Sequence, residues 1–303
     1  MQVPMRSIYK SLARTYKYQY LPGVCNFNNN IIIAGGLDEF NIPINNMQYY
    51  NPEVDKYFPM PALPSRALFL PGMVNLNNRI YLFGGLVKSG IGNSFPIDEV
   101  FAYDPRGKYW TQLDPLPSPV GAQAASSIGG LIYSMGGYGL QSMNYKTLSN
   151  NPYYGPVADN CVYDPAAGRW EYRNSMKIPK AYCGSGTMGG GHIHVIGGGN
   201  NATSSHEIYD TLTNSWSMAN GPPIGLGNTF ACCSMDSNVY VFKDTISFKY
   251  SHKNDRWTQL ENLEKGIPLM SSGAVAIKGS IYVMTKGNTL NNLIRVTPTV
   301  DKF

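Results

Sequence analysis

All four tryptophans of the 303-residue chain stand seven residues after a tyrosine: Tyr103–Trp110, Tyr163–Trp170, Tyr209–Trp216 and Tyr250–Trp257. Tyr50–Tyr57 and Val296–Phe303 keep the same spacing at the two ends. Asp-Pro or a relative follows each tyrosine position, as in Asn51-Pro52, Asp104-Pro105, Asp164-Pro165 and Thr297-Pro298. Upstream of each lies a β-branched or aromatic run, for example Ile80-Tyr81-Leu82-Phe83 and Ile193-His194-Val195-Ile196. Four of these runs end in a glycine pair: Gly35-Gly36, Gly84-Gly85, Gly136-Gly137 and Gly197-Gly198. Lys243-Asp244 and Lys286-Gly287 stand there in the other two. A pattern recurring about every 50 residues demands a repeat architecture, because one such unit cannot bury both of its faces alone.

Each unit reads as four short strands. A small-residue strand such as Ala122-Gln123-Ala124-Ala125-Ser126-Ser127 suits crowding around an axis. An apolar strand buried on both faces follows, and its glycine pair permits positive φ or close backbone approach. The third strand ends in a Tyr-Asp-Pro turn starter. The fourth opens with Trp, whose ring covers the sheet while its N–H seeks a partner.

Gly-Gly, then Tyr, then Trp seven residues on resembles the kelch repeat of β-propellers, over essentially the whole chain in six units. The resemblance implies an all-β, six-bladed kelch-type β-propeller with four antiparallel strands per blade. Gly35, Gly36, Gly84, Gly85, Gly136, Gly137, Gly197, Gly198, Trp110, Trp170, Trp216 and Trp257 are its structural residues. The blades are expected at about 19–61, 66–114, 119–174, 181–219, 228–261 and 271–303 with 6–11. No Trp-Asp pair supports a WD-repeat propeller.

The N-terminal segment offers a spare strand. Leu21-Pro22-Gly23 aligns with Leu70-Pro71-Gly72, which puts Ile8 on the position of Tyr57. Residues near Ser7 to Lys10 are therefore expected to complete the last blade and remove its exposed edge. Arg6, Lys10, Arg14 and Lys17 also have helical spacing, so a basic amphipathic helix or a transit peptide is the competing expectation.

Composition narrows the function. Net charge is +5, and four cations precede Asp38, the first acidic residue, so the charge gives nucleic-acid binding no support. No apolar run approaches the ~20 residues of a membrane helix. Five cysteines without zinc-type spacing, and no secretory h-region, fit a reducing, cytoplasmic compartment.

Binding is expected on loops, which vary while the blades repeat. From the second glycine to the tyrosine the spacings are 14, 18, 26 and 11 in units one to four. The longest connection carries Tyr138, Tyr145, Tyr153 and Tyr154, and tyrosines among Asn, Ser and Gly suit a binding surface as well as rim packing. In kelch substrate receptors of ubiquitin ligases, partners contact residues just after Gly-Gly and just before the innermost strands. By that resemblance Tyr138, Arg66 and Lys180 are candidates, with Lys88, Asn200 and Asn201 on neighbouring loops. Leu37, Leu86, Pro119 and Gly225 break the pattern, so an Arg-rich pocket for acidic peptides is not expected. Asp38 and Glu39 read as solvated loop charge.

Catalytic constellations are thin. His192 and His194 share one side of a strand but lack a neighbouring third ligand, so a packed, hydrogen-bonded role is expected rather than copper or zinc. Cys25 and Cys183 read as buried inert thiols, and Gly189-Gly190-Gly191 opens no helix and is no phosphate loop. The expectation is a non-catalytic protein-interaction module without cofactor, either a ubiquitin-ligase adaptor or an actin-type cytoskeletal scaffold. A propeller enzyme of the oxidase or sugar-epimerase type is the minority alternative, resting on fold analogy.

Overall fold

The computed structural model describes residues 7–13, 17–64, 66–90, 92–141, 153–199, 202–262, 271–286 and 292–298. Six tight hairpins organise them. Their central pairs are Asn28-Asn29, Asn77-Asn78, Gly129-Gly130, Gly190-Gly191, Asp236-Ser237 and Lys278-Gly279, and every one of these residues has positive φ. Two successive positive φ values match the right-handed twist of the flanking strands, and Asn, Asp and Gly tolerate them best. The triple glycine at 189–191 is thus a hairpin turn.

Each hairpin joins the first two strands of a four-stranded antiparallel sheet, and six such sheets occur among the described residues. The first comprises Gly23–Phe27, Asn30–Ala34, Met47–Asn51 and Lys56–Met60. The second comprises Gly72–Leu76, Arg79–Phe83, Val100–Asp104 and Tyr109–Gln112. The third holds Ala124–Ile128, Leu131–Met135, Asn160–Asp164 and Arg169–Arg173. The fourth holds Gly184–Met188, His192–Ile196, His206–Asp210 and Ser215–Met218. The fifth is built from Ala231–Met235, Asn238–Lys243, Ile246–Ser251 and Arg256–Gln259, and the sixth from Ser271–Ile277, Ser280–Thr285, Asn292–Pro298 and Ser7–Ser11.

The first strand of each sheet touches the first strand of the next, and that of the sixth returns to that of the first. The sheets therefore radiate from a closed ring of inner strands, which is a β-propeller. Crowding at the axis explains the small residues there: a Cβ on Gly184 would lie 2.4 Å from Cys232 Cβ. The core fills the wedges between sheets, where second strands such as Ile31-Ile32-Ile33-Ala34 are buried on both faces.

The Tyr-to-Trp spacing is a cross-strand pairing. The short turn sets Tyr103 opposite Trp110, Tyr163 opposite Trp170, Tyr209 opposite Trp216 and Tyr250 opposite Trp257. The rings pack at a tilt with centroids 4.9–5.2 Å apart in all four pairs, and Tyr50 meets Tyr57 in the same way at 4.8 Å. Trp216 Nε1 donates to Asn174 O and Trp257 Nε1 to Asn220 O, each reaching back to the preceding sheet (2.6 and 2.7 Å).

The turn residue between the pair joins the same seam. Asn214 has φ 50°, and its Oδ1 accepts from the Tyr209 hydroxyl at 2.8 Å and from Asn174 N at 3.0 Å. Asp55 and Asp255 do likewise for Tyr50 with Ala13 N and for Tyr250 with Asn220 N. Asn214→Ala loses two hydrogen bonds and puts a Cβ-bearing residue without a local acceptor in the left-handed region. A cost of about 2 kcal/mol in urea unfolding is expected. An unchanged midpoint would refute this role for the turn.

Ser7–Ser11 completes the sixth sheet, running antiparallel to Asn292–Pro298, so the strand expectation holds over the helical one for these residues. The register differs by one. Tyr9, not Ile8, faces Val296, which holds the tyrosine position of that unit. The physical reason is length: the connection from Tyr9 to Gly23 is one residue shorter than that from Tyr57 to Gly72. Phe303 lies outside the described residues. No helix among the described residues is long and apolar enough to cross a membrane.

Candidate functional site

The glycine pairs turn the chain out of the second strands onto one face of the ring. The residue that follows does not project outward. Leu37 exchanges two backbone hydrogen bonds with Tyr20 (2.9 and 2.7 Å), and Leu86 does the same with Phe69. Tyr138 pairs with Gly121 in the equivalent place. Leu37, Leu86, Tyr18, Tyr20 and Phe69 thereby form a buried apolar floor, with Tyr138 packed against it.

Three connections rise above this floor, from the first three sheets. In the first, Asp38 Oδ1 accepts from Phe40 N (3.0 Å) and Ile42 N (2.8 Å). This Asx-type turn leaves the Phe40 and Ile42 side chains 75% and 57% exposed. In the second, Leu86–Lys88 and Ser94–Pro96 form an accessory hairpin, and Lys88 Nζ donates to Asn41 O at 2.5 Å. In the third, Tyr138–Leu140 pairs with Tyr154–Pro156 and touches Ser94–Pro96. Leu140 and Tyr153 are 47% and 74% exposed there. The three connections are thus linked one to the next as a continuous ridge. The fifth sheet, by contrast, makes the same connection with only Asp244 and Thr245 between its strands.

The candidates read from sequence divide accordingly. Tyr153 is open on the ridge, while Tyr154 and Tyr138 are partly buried against each other with centroids 6.2 Å apart. Lys88 is exposed but braces the first connection. Arg66 is exposed and paired with Glu99 at 3.1 Å. Lys180 needs correction: it is wholly buried and ion-paired with the equally buried Glu207 at 2.9 Å, so it cannot meet a partner. In the fourth sheet the residue before the inner strand points into the wedge between sheets, whereas Arg66 in the second stays exposed. Tyr145, Asn200 and Asn201 lie outside the described residues. Phe40, Ile42 and Leu140 were not among the candidates. The signal for Phe40 and Ile42 was two apolar side chains within four residues of a turn-starting aspartate.

The axial channel has a volume of about 720 Å³ and a mixed lining, in which Ser, Thr, Asn and Cys alternate with small and apolar residues such as Ala, Gly and Val. Those polar groups lace neighbouring inner strands together. Ser127 Oγ donates to Asn75 O, Ser185 Oγ to Ala125 O, Asn26 Nδ2 to Ala276 O, and Thr187 N to Ser234 Oγ. Burial pushes the Cys183 thiol up to about 11 and Cys233 up to about 12, which disfavours reactive thiolates. A row of backbone bonds also runs along part of the mouth, from the first sheet to the fourth: Leu70 N to Leu21 O, Ala122 N to Leu70 O, and Tyr182 N to Ala122 O. The channel lining includes no histidine among the described residues.

Closed ring, terminal strand and Tyr-to-Trp seams together define a kelch-type propeller. The Kelch motif matches residues 68–117 and 180–223, so these segments carry kelch repeats. It is 24% identical to mouse Kelch-like protein 23 over 225 residues, covering 68% of this chain and 36% of that protein. It is 24% identical to beta-scruin of Limulus polyphemus over 242 residues, covering 78% of this chain and 25% of that protein. The chain therefore spans about a third and a quarter of these curated relatives. Among solved structures, that of YjhT superposes with TM-score 0.77 over 96% of this chain and 98% of that one, at 14% identity, a likeness of fold.

Proposed function

We propose that the protein is a non-catalytic interaction module that docks a protein partner on the ridge of its first three sheets, as an adaptor or substrate-recognition propeller. The observation that carries this reading is the set of exposed apolar side chains Phe40, Ile42, Leu140 and Tyr153 on braced loops at one side of one face. Rigid loops with aromatic anchors suit recognition, since little ordering entropy is lost on binding. The consumption of the channel's polar groups in cross-strand bonding favours recognition over chemistry at the axis.

The paired substitution Phe40→Ala with Tyr153→Ala tests it. Both side chains are exposed, so Tm should move by no more than about 2 °C. Proximity labelling and affinity capture in cells should lose the wild-type partners, with affinity falling at least about 30-fold for two anchors of ~1 kcal/mol or more each. Undiminished capture would refute the ridge. The identity of the captured proteins, ligase subunits or cytoskeletal filaments, decides between adaptor and scaffold.

A further inference from the structure

All four histidines of the chain meet at one seam, between the fourth and fifth sheets. His192 faces His252 with centroids 5.0 Å apart, His252 meets His194 edge-on at 5.0 Å, and His194 meets His206 at 5.0 Å. Two of them depart from what the repeat places there. His194 occupies the second-strand position held by Tyr81, Tyr133, Tyr240 and Tyr282 in four other units. His252 stands where Pro52, Pro105, Pro165 and Pro298 follow the turn starter. Three other seams carry tyrosine contacts at the matching place: Tyr282 with Tyr50, Tyr81 with Tyr163, and Tyr133 with Tyr209. Here His194 meets Tyr250 instead, at 5.4 Å.

The protons of the cluster can be placed. Asn220 O only accepts, so His206 Nδ1 is the donor of their 2.9 Å bond. Neutral His206 then has a bare Nε2, which accepts from His194 Nδ1 at 2.8 Å. That leaves His194 Nε2 as a lone pair, fully buried and without a hydrogen-bond partner. His252 Nδ1 is likewise buried and unpartnered. A proton added at His194 Nε2 would leave these bonds in place but set a charge without a hydrogen-bond partner inside the buried seam.

We propose that this seam is a proton-operated latch: neutral imidazoles hold the fourth and fifth sheets together, and protonation releases them. Burial, then His206, His252 and His192, drive His194 down to about 2. His206 falls to about 4 through burial foremost, with Lys180 and His252 adding, against the Asn220 bond and Asp255. Burial and His192 lower His252, and Asp255 opposes them. The other charges packed here are already engaged. Asp255 accepts from the Tyr250 hydroxyl and Asn220, Glu207 pairs with Lys180, and Asp210 beside His192 accepts from Leu212 N and Thr213 N. None of them is a hydrogen-bond partner of His194 Nε2.

The sign follows directly. The unfolded chain binds protons at His194 and His206 below about pH 6.5, and the folded chain does not, so the latch is at full strength above that pH and is lost as pH falls toward 4. Two suppressed histidines raise the unfolding constant about 100-fold per pH unit in that window.

Imidazole C–H resonances of the intact protein, followed from pH 7.5 to 4.5, test this without any variant. Two of the four should stay neutral throughout. Amide exchange at pH 5, corrected for intrinsic rates, should accelerate along 206–210 and 246–251 before the other sheets. His194→Phe should cut the pH slope of the unfolding constant by about tenfold per pH unit. Four ordinary titrations near 6.5, or exchange uniform around the ring, would overturn the latch. So would equal slopes in wild type and variant. A Tm increase on adding one equivalent of Zn²⁺ at pH 7, absent in His194→Phe, would overturn it in favour of a metal site.

Discussion

Glu207→Gln will destabilise the propeller by about 3–5 kcal/mol, the usual result of removing one partner from a buried ion pair. Glu207 and Lys180 are both inaccessible to solvent, and the carboxylate also accepts from the backbone N–H groups of Lys177 (2.8 Å) and Ile178 (3.2 Å). An amide can satisfy at most part of that set, and it leaves the Lys180 ammonium without a counter-charge in a dry wedge. Lys180→Met should cost less, because Glu207 keeps its two backbone donors. The double variant Lys180→Met with Glu207→Leu should recover most of the loss, since apolar replacements of buried pairs are often neutral. Urea unfolding of the three variants measures the cycle. A Glu207→Gln cost below about 1 kcal/mol would show that water reaches the pair and that the wedge is not dry.

The second large effect is at the glycine pairs. Gly84 has φ +60°, and a Cβ there would sit 2.3 Å from Val120 O, the acceptor that also receives Gly85 N at 2.9 Å. Gly84→Ala therefore adds a backbone collision to left-handed strain, and at least about 3 kcal/mol is expected. Gly129 supplies the control. Its φ is also +60°, but the space around its missing side chain is open. Gly129→Ala should carry only the conformational cost of about 1–2 kcal/mol. If the two variants differ by less than about 0.5 kcal/mol in unfolding free energy, close packing between the second and third sheets is not what the glycine serves.

These two predictions mark where the sequence was legible and where it was not. Spacing written by local chemistry read through directly. A positive-φ turn between paired strands places Tyr103 on Trp110, so seven residues in sequence is one contact in space. The closing strand was legible for a similar reason, although its register slipped by one because connection length is invisible to an alignment of three residues. What depends on the direction of a side chain between sheets was not legible. Lys180 looks like surface chemistry from its position before an inner strand, and only the wedge reveals that it points at Glu207. Glu207 itself carried a signal, a carboxylate beside Ile208 and Tyr209 in the strand His206–Asp210, whose depth the repeat alone does not give. The ridge was half legible. Loop length singled out the third connection, while Phe40 and Ile42 were hidden among turn residues because exposure is set by the Asp38 hydrogen bonds. The histidines read one by one as packing groups, and their convergence needed the fold.

The pairing of Ser7–Ser11 with Asn292–Pro298 has a temporal side. During synthesis Ser7–Ser11 is made long before Asn292–Pro298 and finds its mate only when that strand emerges. Five sheets can assemble in order behind the ribosome while the sixth waits, its edge a template for any other extended chain nearby. Joining distant ends adds little entropy beyond that of a shorter loop, so the delay is one of sequence order more than of energy. A translating ribosome that stalls late would therefore release a nearly whole, unzipped circle, prone to borrow the missing strand from a second molecule.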